Sequence, residues 1–222
     1  LSIVDCVTSL GACNVPVDEW KLDIVASGSQ KGYMIPPGLS FIAMSQKAWE
    51  AAEKSNLPKF YLNLKSYRKS LLSNSNPYTP AVNLVFALDE ALKMMREEGL
   101  DNIFLRHNKH KLAMSNAVKA LNLKLFADEK YLSPSITAIK TEGIDAEEFR
   151  KKIKNNFDIL LAGGQDHLKG KIFRVGHLGY VNDRDIITVV SAISNTLLDL
   201  GKITSQQAGE ALVMVSRYLE GN

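Results

Sequence analysis

The order of apolar patterns predicts an α/β arrangement over the first hundred residues and an α+β unit after it. Three observations carry this. Short runs that are apolar on successive residues alternate early with Gly and Pro, the pattern of strands covered on both faces. Two long amphipathic helical stretches follow Pro80. Beyond them isolated strand-like runs alternate with helical ones, the order of a small sheet backed by helices. The chain has 222 residues, 45% hydrophobic and 23% charged, enough for one large domain or two modest ones with a substantial buried core.

In chain order, Ile3-Val4-Asp5, Asp23 to Ser27 and Ser40 to Met44 suit buried parallel strands. Val17 to Leu22, after Pro16, predicts one or two helical turns. A helix begins at Gln46 with Ala48, Ala51 and Ala52 on one face, and the helical pattern continues after Pro58 from Tyr61 to Leu72. Ser73 to Pro80, dense in Ser, Asn and Pro, is a polar loop. Helices then span Ala81 to Glu98, with Leu84, Leu88, Leu92 and Met95 as the core stripe, and Asp101 to Leu121, with Gly99 as a C-cap between them. Lys124 to Phe126 and Ile136 to Ile139 are strand-like. Asp145 opens a further helix, with Glu148 at capping-box spacing. Ile159 to Leu161 and Lys171 to Val175 are expected strands, Asp185 to Leu200 and Ser205 to Leu219 the closing helices. No internal repeat is present.

Charge and cysteine content exclude several classes. Lys plus Arg at 27 against Asp plus Glu at 24 leaves +3 without a basic block, so nothing favours nucleic acid as a partner. No apolar run reaches the roughly eighteen residues of a membrane span. Cys6 and Cys13 lack a CxxC or zinc-spaced histidines and suit reduced thiols in a cytoplasmic setting. The terminal Glu220-Gly221-Asn222 is not a retention or peroxisomal tripeptide. Leu1 already lies in strand-like sequence, so the chain is expected to open inside a domain, and no leader is judged from it. His107 and His110, three apart on one helix, are assigned to packing, as is His177, and no metal site is expected. Gly163-Gly164 to Gly170-Lys171 has the wrong glycine spacing for a phosphate loop, and Ile172 stands where Ser or Thr would bind magnesium.

The chemistry concentrates in Ser27-Gly28-Ser29-Gln30-Lys31-Gly32, followed by Pro36-Pro37-Gly38-Leu39. Lys31 follows a buried strand at its carboxyl end, where open α/β sheets bind ligands. The small residues around it let a ligand approach the backbone. Asp5 ends another strand, so an amine and a carboxylate converge at one sheet edge. Pyridoxal phosphate needs both: an amine for its aldehyde, and an acid that keeps its ring nitrogen protonated.

On these residues the sequence resembles class V aminotransferases of the alanine/serine-glyoxylate type, within pyridoxal-phosphate fold type I. The group includes cyanobacterial proteins labelled soluble hydrogenase subunits. The resemblance also runs through Val4-Asp5, Ser9-Leu10-Gly11, Asp23, Tyr78-Thr79-Pro80, Glu97 to Leu100, Arg106-His107, Gly163-Gly164 and Lys171 to Gly179.

The resemblance implies that Lys31 is the Schiff-base lysine and later the base that moves the substrate proton. It implies Asp5 as the pyridinium partner, with Val7 packed under the ring, on Asp5's strand face if the strand continues. Ser9 matches a position near the substrate and Gln30 one at the phosphate side. Arg174 matches the arginine that grips the substrate carboxylate, a task suited to a planar fork. Thr79 matches a threonine that reaches the neighbouring subunit's phosphate, hence a homodimer with shared sites. Asn76 stands where animal members have a tyrosine, and it keeps a hydrogen-bond donor. The implied domains are 1–98, the second half of a large, mostly parallel cofactor-binding domain, and 99–222, a small C-terminal α+β domain. The implied activity is ping-pong transfer of an amino group from alanine or serine to a 2-oxo acid such as glyoxylate. The alternatives are a cysteine desulfurase or other lyase on the same fold, and a non-catalytic cofactor-binding homologue or inactive fragment. Residues 1–222 alone are expected to expose sheet edges and not to transaminate.

Overall fold

The computed structural model describes residues 1–220; Gly221 and Asn222, part of the terminal tripeptide considered above, lie outside the described residues. Two compact units divide the chain, one of Leu1–Leu10 with Val15–Glu97, the other of Gly11–Asn14 with the residues from Glu98 onward.

The first unit holds β1 (Ile3–Asp5), β2 (Ile24–Gly28) and β3 (Ser40–Met44) in the order β1-β2-β3, with α1 (Gln46–Lys54), α2 (Leu64–Leu72) and most of α3 (Val82–Glu98). β1 and β2 are parallel, with Asp5 opposite Ala26, so both strands end at the same edge. β3 pairs antiparallel with β2, against the expectation of a third parallel strand. The chain from residue 29 to 39 is shorter than the dozen or more residues a parallel crossover needs.

Val17 to Leu22 forms a tight turn rather than an established helix: the Trp20 N–H donates to the Pro16 carbonyl, and Lys21 at φ 53° stops propagation. At the opposite strand ends, buried Asp23 accepts from the Ser2 N–H (2.8 Å) and the Ser45 hydroxyl (2.9 Å). Ser45 Oγ also accepts from the Ala48 N–H, capping α1. The backbone bond from Ser2, then Ser45 and Lys47, holds Asp23 below the usual carboxylate range. The stripe expected on α3 is incomplete: Ala91 and Met95 are buried, but Leu92 is 36% exposed and Phe86 71%. The helical periodicity there identifies an apolar face without saying that this unit covers it.

The second unit is α+β. Its antiparallel sheet runs β4 (Lys124–Leu125), β5 (Ile136–Lys140), β7 (Ile172–Gly176), β6 (Ala162–Gly163), and its helices are α4 (Leu100–Ala120), α5 (Ala146–Phe157), α6 (Asp183–Asp199) and α7 (Ser205–Glu220). Phe173 and Val175 point from β7 into a core with Met114, Ile139, Phe149, Ile153, Ile193, Leu197 and Val215. Strand alternation therefore turns Arg174 to the opposite face. The strand expected at 159–161 is displaced to Ala162–Gly163. Asp158 caps α5 in a left-handed conformation and Leu160 is 77% exposed, so pairing begins only where Ala162 meets Arg174.

Candidate active site

Asp5 is the last residue of β1, and Lys31 lies three past the end of β2, on the loop leaving the same edge. Ser29 closes that loop. Its N–H donates to the Leu39 carbonyl (3.1 Å), its hydroxyl donates to the Pro36 carbonyl (2.8 Å), and the Leu39 N–H donates back to the hydroxyl (3.2 Å). The Met34 N–H donates to the Lys31 carbonyl at 3.0 Å, with Met34 at φ 63°. Lys31 is thus mounted on a braced turn, half-buried, and its amine enters no hydrogen bond or ion pair among the described residues. Asp5 is exposed, and its Oδ1 accepts only from the Val7 N–H (2.8 Å).

The strand does not continue as far as Val7. After a last bond from the Cys6 N–H to the Ala26 carbonyl, the chain turns back, with the Leu10 N–H donating to the Cys6 carbonyl. Val7 and Ser9 therefore lie in a turn beyond β1, and Val7 is not on a shared strand face with Asp5. Ser27 Oγ donates to the Cys6 carbonyl and ties this turn to β2. Gln30 is exposed, its side chain folded over Gly28: a Cβ there would stand 2.9 Å from Gln30 Oε1.

Thr79 and Asn76 belong to a separate loop, both exposed. Tyr78 pins it through a hydroxyl bond to the Phe60 carbonyl (2.9 Å) and ring contacts with Tyr61 and Tyr67. Asn76 borders a cleft of about 290 Å³ with Trp49, Tyr67 and Arg68. No hydrogen bond among the described residues joins Thr79 or Asn76 to Lys31 or Asp5.

Arg174 stands in the second unit. Its Nε donates to the Gly163 carbonyl (2.9 Å), and its two terminal nitrogens make no hydrogen bond among the described residues. One edge of the fork is anchored and the other is available to a bidentate anion. The Gly163-Gly164 pair has steric reasons. A Cβ at Gly163 would come within 2.5 Å of Arg150 Nη1, and one at Gly164 would overlap the Leu168 carbonyl. Arg150 was not legible as part of this arrangement, although its spacing from Glu147 marks an i,i+3 ion pair.

His107, His110 and His177 are fully buried, and each has at least one ring nitrogen partnered within the fold. His107 Nδ1 donates to the Ile103 carbonyl (2.7 Å) while its Nε2 accepts from the Gly179 N–H. His110 Nε2 faces Asp183 at 2.9 Å, and His177 Nε2 faces the Thr137 hydroxyl at 2.8 Å. Burial lowers all three pKa values, His177 to about 4. Arg106 grips Glu98 with two nitrogens and gives a third to the Gly179 and Val181 carbonyls, fixing the loop after β7. Burial, with Asp5 adding to it, pushes the Cys6 thiol up, which leaves it a poor nucleophile. No helix among the described residues is long and apolar enough to cross a membrane.

The fold is that of the pyridoxal-phosphate aminotransferases of fold type I. The chain belongs to the family Aminotransferase class-V, whose model it matches over residues 1–184, and the family is pyridoxal-phosphate dependent. It is 56% identical to the soluble hydrogenase small subunit of a Synechococcus strain over 99% of this chain and 57% of that one. It is 36% identical to a serine–glyoxylate aminotransferase of Methylorubrum extorquens, over all of this chain and 56% of that one. The crystal structure of ureidoglycine–glyoxylate aminotransferase from Bacillus subtilis superposes with a TM-score of 0.87 at 32% identity, covering 97% of this chain and 57% of that one. The chain thus spans about half the length of the relatives it matches.

Proposed function

We propose that this chain supplies the catalytic lysine and the carboxylate-binding arginine of an aminotransferase that moves the amino group of a small amino acid, alanine or serine, to a 2-oxo acid such as glyoxylate. Residues 1–98 would then be the second half of a large cofactor-binding domain and 99–222 a small C-terminal domain. The division of the chain between Glu97 and Glu98 supports that partition. The observation that carries the reading is Lys31, on a braced loop at the carboxyl edge of a parallel pair, with Asp5 ending the neighbouring strand at that edge.

The residues present fit pyridoxal phosphate. Lys31 has an unpaired amine to hold it covalently, and Asp5 has an oxygen without a partner to accept from its ring nitrogen. Gln30 carries an amide donor for the phosphate side, and Val7 and Ser9 lie in the turn beyond Asp5. When bound, the group supplies an electron sink for the substrate carbanion. The protein's own part is distinct. The Lys31 amine would move a proton to and from the substrate α-carbon. Arg174 takes both oxygens of the carboxylate common to donor and acceptor, and so orients either one. Thr79 and Asn76, exposed on their loop, suit contacts to the cofactor phosphate of a second subunit in a homodimer.

Borohydride reduction of the full-length protein with pyridoxal phosphate, followed by peptide mapping, should place the cofactor mass on Lys31. Lys31→Ala should lose the adduct and more than about a thousandfold in turnover, the scale on which a removed catalytic base and covalent anchor act. An adduct at another lysine would overturn the site. A screen of amino donors with glyoxylate then tests the substrates. The hydrogenase-subunit name of the 56% identical relative favours one second reading, a homologue that binds the cofactor without transamination. An adduct on Lys31 with no turnover of any donor and acceptor pair would select it.

A further inference from the structure

We infer that Arg150, backed by Glu147, is a positioning residue for Arg174: it braces β6 from outside, and β6 in turn holds the Arg174 guanidinium through the Gly163 carbonyl. The inference rests on the reading of Arg174 as the carboxylate-binding arginine.

β6 is two residues long and lies at the sheet edge. Its inner side is held to β7 by the Ala162–Arg174 and Gly163–Phe173 pairings and by the Gly164 N–H donating to the Ile172 carbonyl (3.1 Å). So short an edge strand has little cooperativity of its own. Arg150 reaches from α5 to supply what the ladder lacks. Its Nε donates to the Leu161 carbonyl at 2.7 Å, just ahead of the strand, and its Nη1 donates to Glu147 Oε2 at 2.7 Å. The guanidinium lies directly against the Gly163 α-carbon, where a Cβ would approach Nη1 to 2.5 Å and Glu147 Oε1 to 2.7 Å. The same residue's carbonyl accepts from Arg174 Nε at 2.9 Å.

A continuous set of contacts therefore runs from Glu147 through Arg150 and β6 to Arg174. It fixes the plane in which Arg174's two terminal nitrogens meet a carboxylate. A planar fork is sensitive to that plane, since both bonds form only when it is coplanar with the carboxylate. Loosening β6 would weaken grip on donor and acceptor alike, a ground-state and transition-state loss of equal size, which raises KM and spares kcat.

The test uses the full-length holoenzyme and compares Arg150→Gln, Arg174→Ala and the double variant. The readouts are KM and kcat for donor and acceptor, and the equilibrium Kd of propionate, a carboxylate that cannot transaminate. Arg150→Gln is expected to raise both KM values and the propionate Kd about tenfold, with kcat within about twofold, the size of effect a small misplacement of a binding group gives. In the Arg174→Ala background the substitution should add nothing, since coupled residues are not additive. A folded Arg150→Gln protein with unchanged Kd, while Arg174→Ala weakens propionate, overturns the inference and leaves the Arg174 reading intact. So does an Arg150 effect that persists without Arg174. Unchanged propionate binding in Arg174→Ala overturns the reading and the inference together. If Arg150→Gln does not fold, Glu147→Gln, which frees the guanidinium without removing it, should raise the propionate Kd about threefold; no change there also overturns the inference.

Discussion

His177 sits fully buried against Thr137, and burial takes its pKa from the ordinary 6.5 to about 4, with His110 and His107 adding to the shift. Between these two values the unfolded chain holds a proton that the folded chain does not. Stability is therefore fully present above about pH 6.5, falls as pH drops toward 4, and loses little more from this group below it. The shift corresponds to a loss on the order of 3 kcal/mol. Burial lowers His107 and His110 as well, so they act in the same direction. Asp183 sharpens the case: burial would raise it, yet Lys109 and His110 together keep it below the usual carboxylate range. Denaturant midpoints measured from pH 7.5 to 4.5 should fall steadily, and His177→Gln, less stable at pH 7.5, should show a shallower fall. An unchanged slope in that variant would count against the assignment. At this scale Lys31, Asp5 and Arg174 were recognisable as candidates because each is one residue in a distinctive local string. Arg150 was not, because its role depends on how α5 is registered against β6, and no local pattern encodes that.

Helix termini show how well local chemistry predicts an element and where it stops. Asn182 accepts from the Arg184 and Asp185 N–H groups, and Asp185 returns a bond to the Asn182 N–H at 2.9 Å, so α6 starts at Asp183, two residues before the sequence expectation. Asn182→Ala should cost about 1 kcal/mol and Asn182→Ser nearly nothing, read from denaturant midpoints at constant slope. An alanine variant as stable as the parent would show that the box contributes nothing. Asp145 caps α5, accepting from the Glu147 and Glu148 N–H groups, but the return bond from Glu148 that its spacing implied is not made among the described residues, so this is an N-cap without the box. Strand direction was less legible. β3 has the composition of a parallel strand, and only the short braced loop before it reverses it. β6 was misplaced because Ile159 to Leu161 is strand-like in composition, while the left-handed Asp158 and the Leu161 carbonyl bond to Arg150 keep those residues out of the ladder.

The two units differ in how far they satisfy themselves. The second has a continuous core in which Met114, Ile139, Phe149, Ile153, Phe173, Ile193 and Val215 are all almost completely buried. Every helix in it contributes to that core, and its four strands are paired. The first buries Cys6, Val25, Ile35, Ala48, Ala91 and Met95, a set of mostly small side chains, while leaving Phe60, Leu62, Leu72 and Phe86 each more than 70% exposed. α2 has no buried residue. Scattered apolar exposure is ordinary, but large side chains exposed in this density imply faces that the unit's own elements do not cover. The outcomes should therefore separate. Residues 98–220 expressed alone should be monomeric and unfold in one cooperative transition, because one continuous core joins all four of their helices to the sheet, even without Gly11–Asn14 of the same unit. Residues 1–97 alone should bind an apolar dye and associate at micromolar concentration, through the edges of β1 and β3 as well as the exposed helix faces. Substituting Phe60, Leu62 and Leu72 by Ser should reduce dye binding and association without lowering the helix content of the fragment. A first unit that stays monomeric and dye-free would mean that its apolar faces are stable in water as they stand. In that case the contrast between the units would reflect residue size alone.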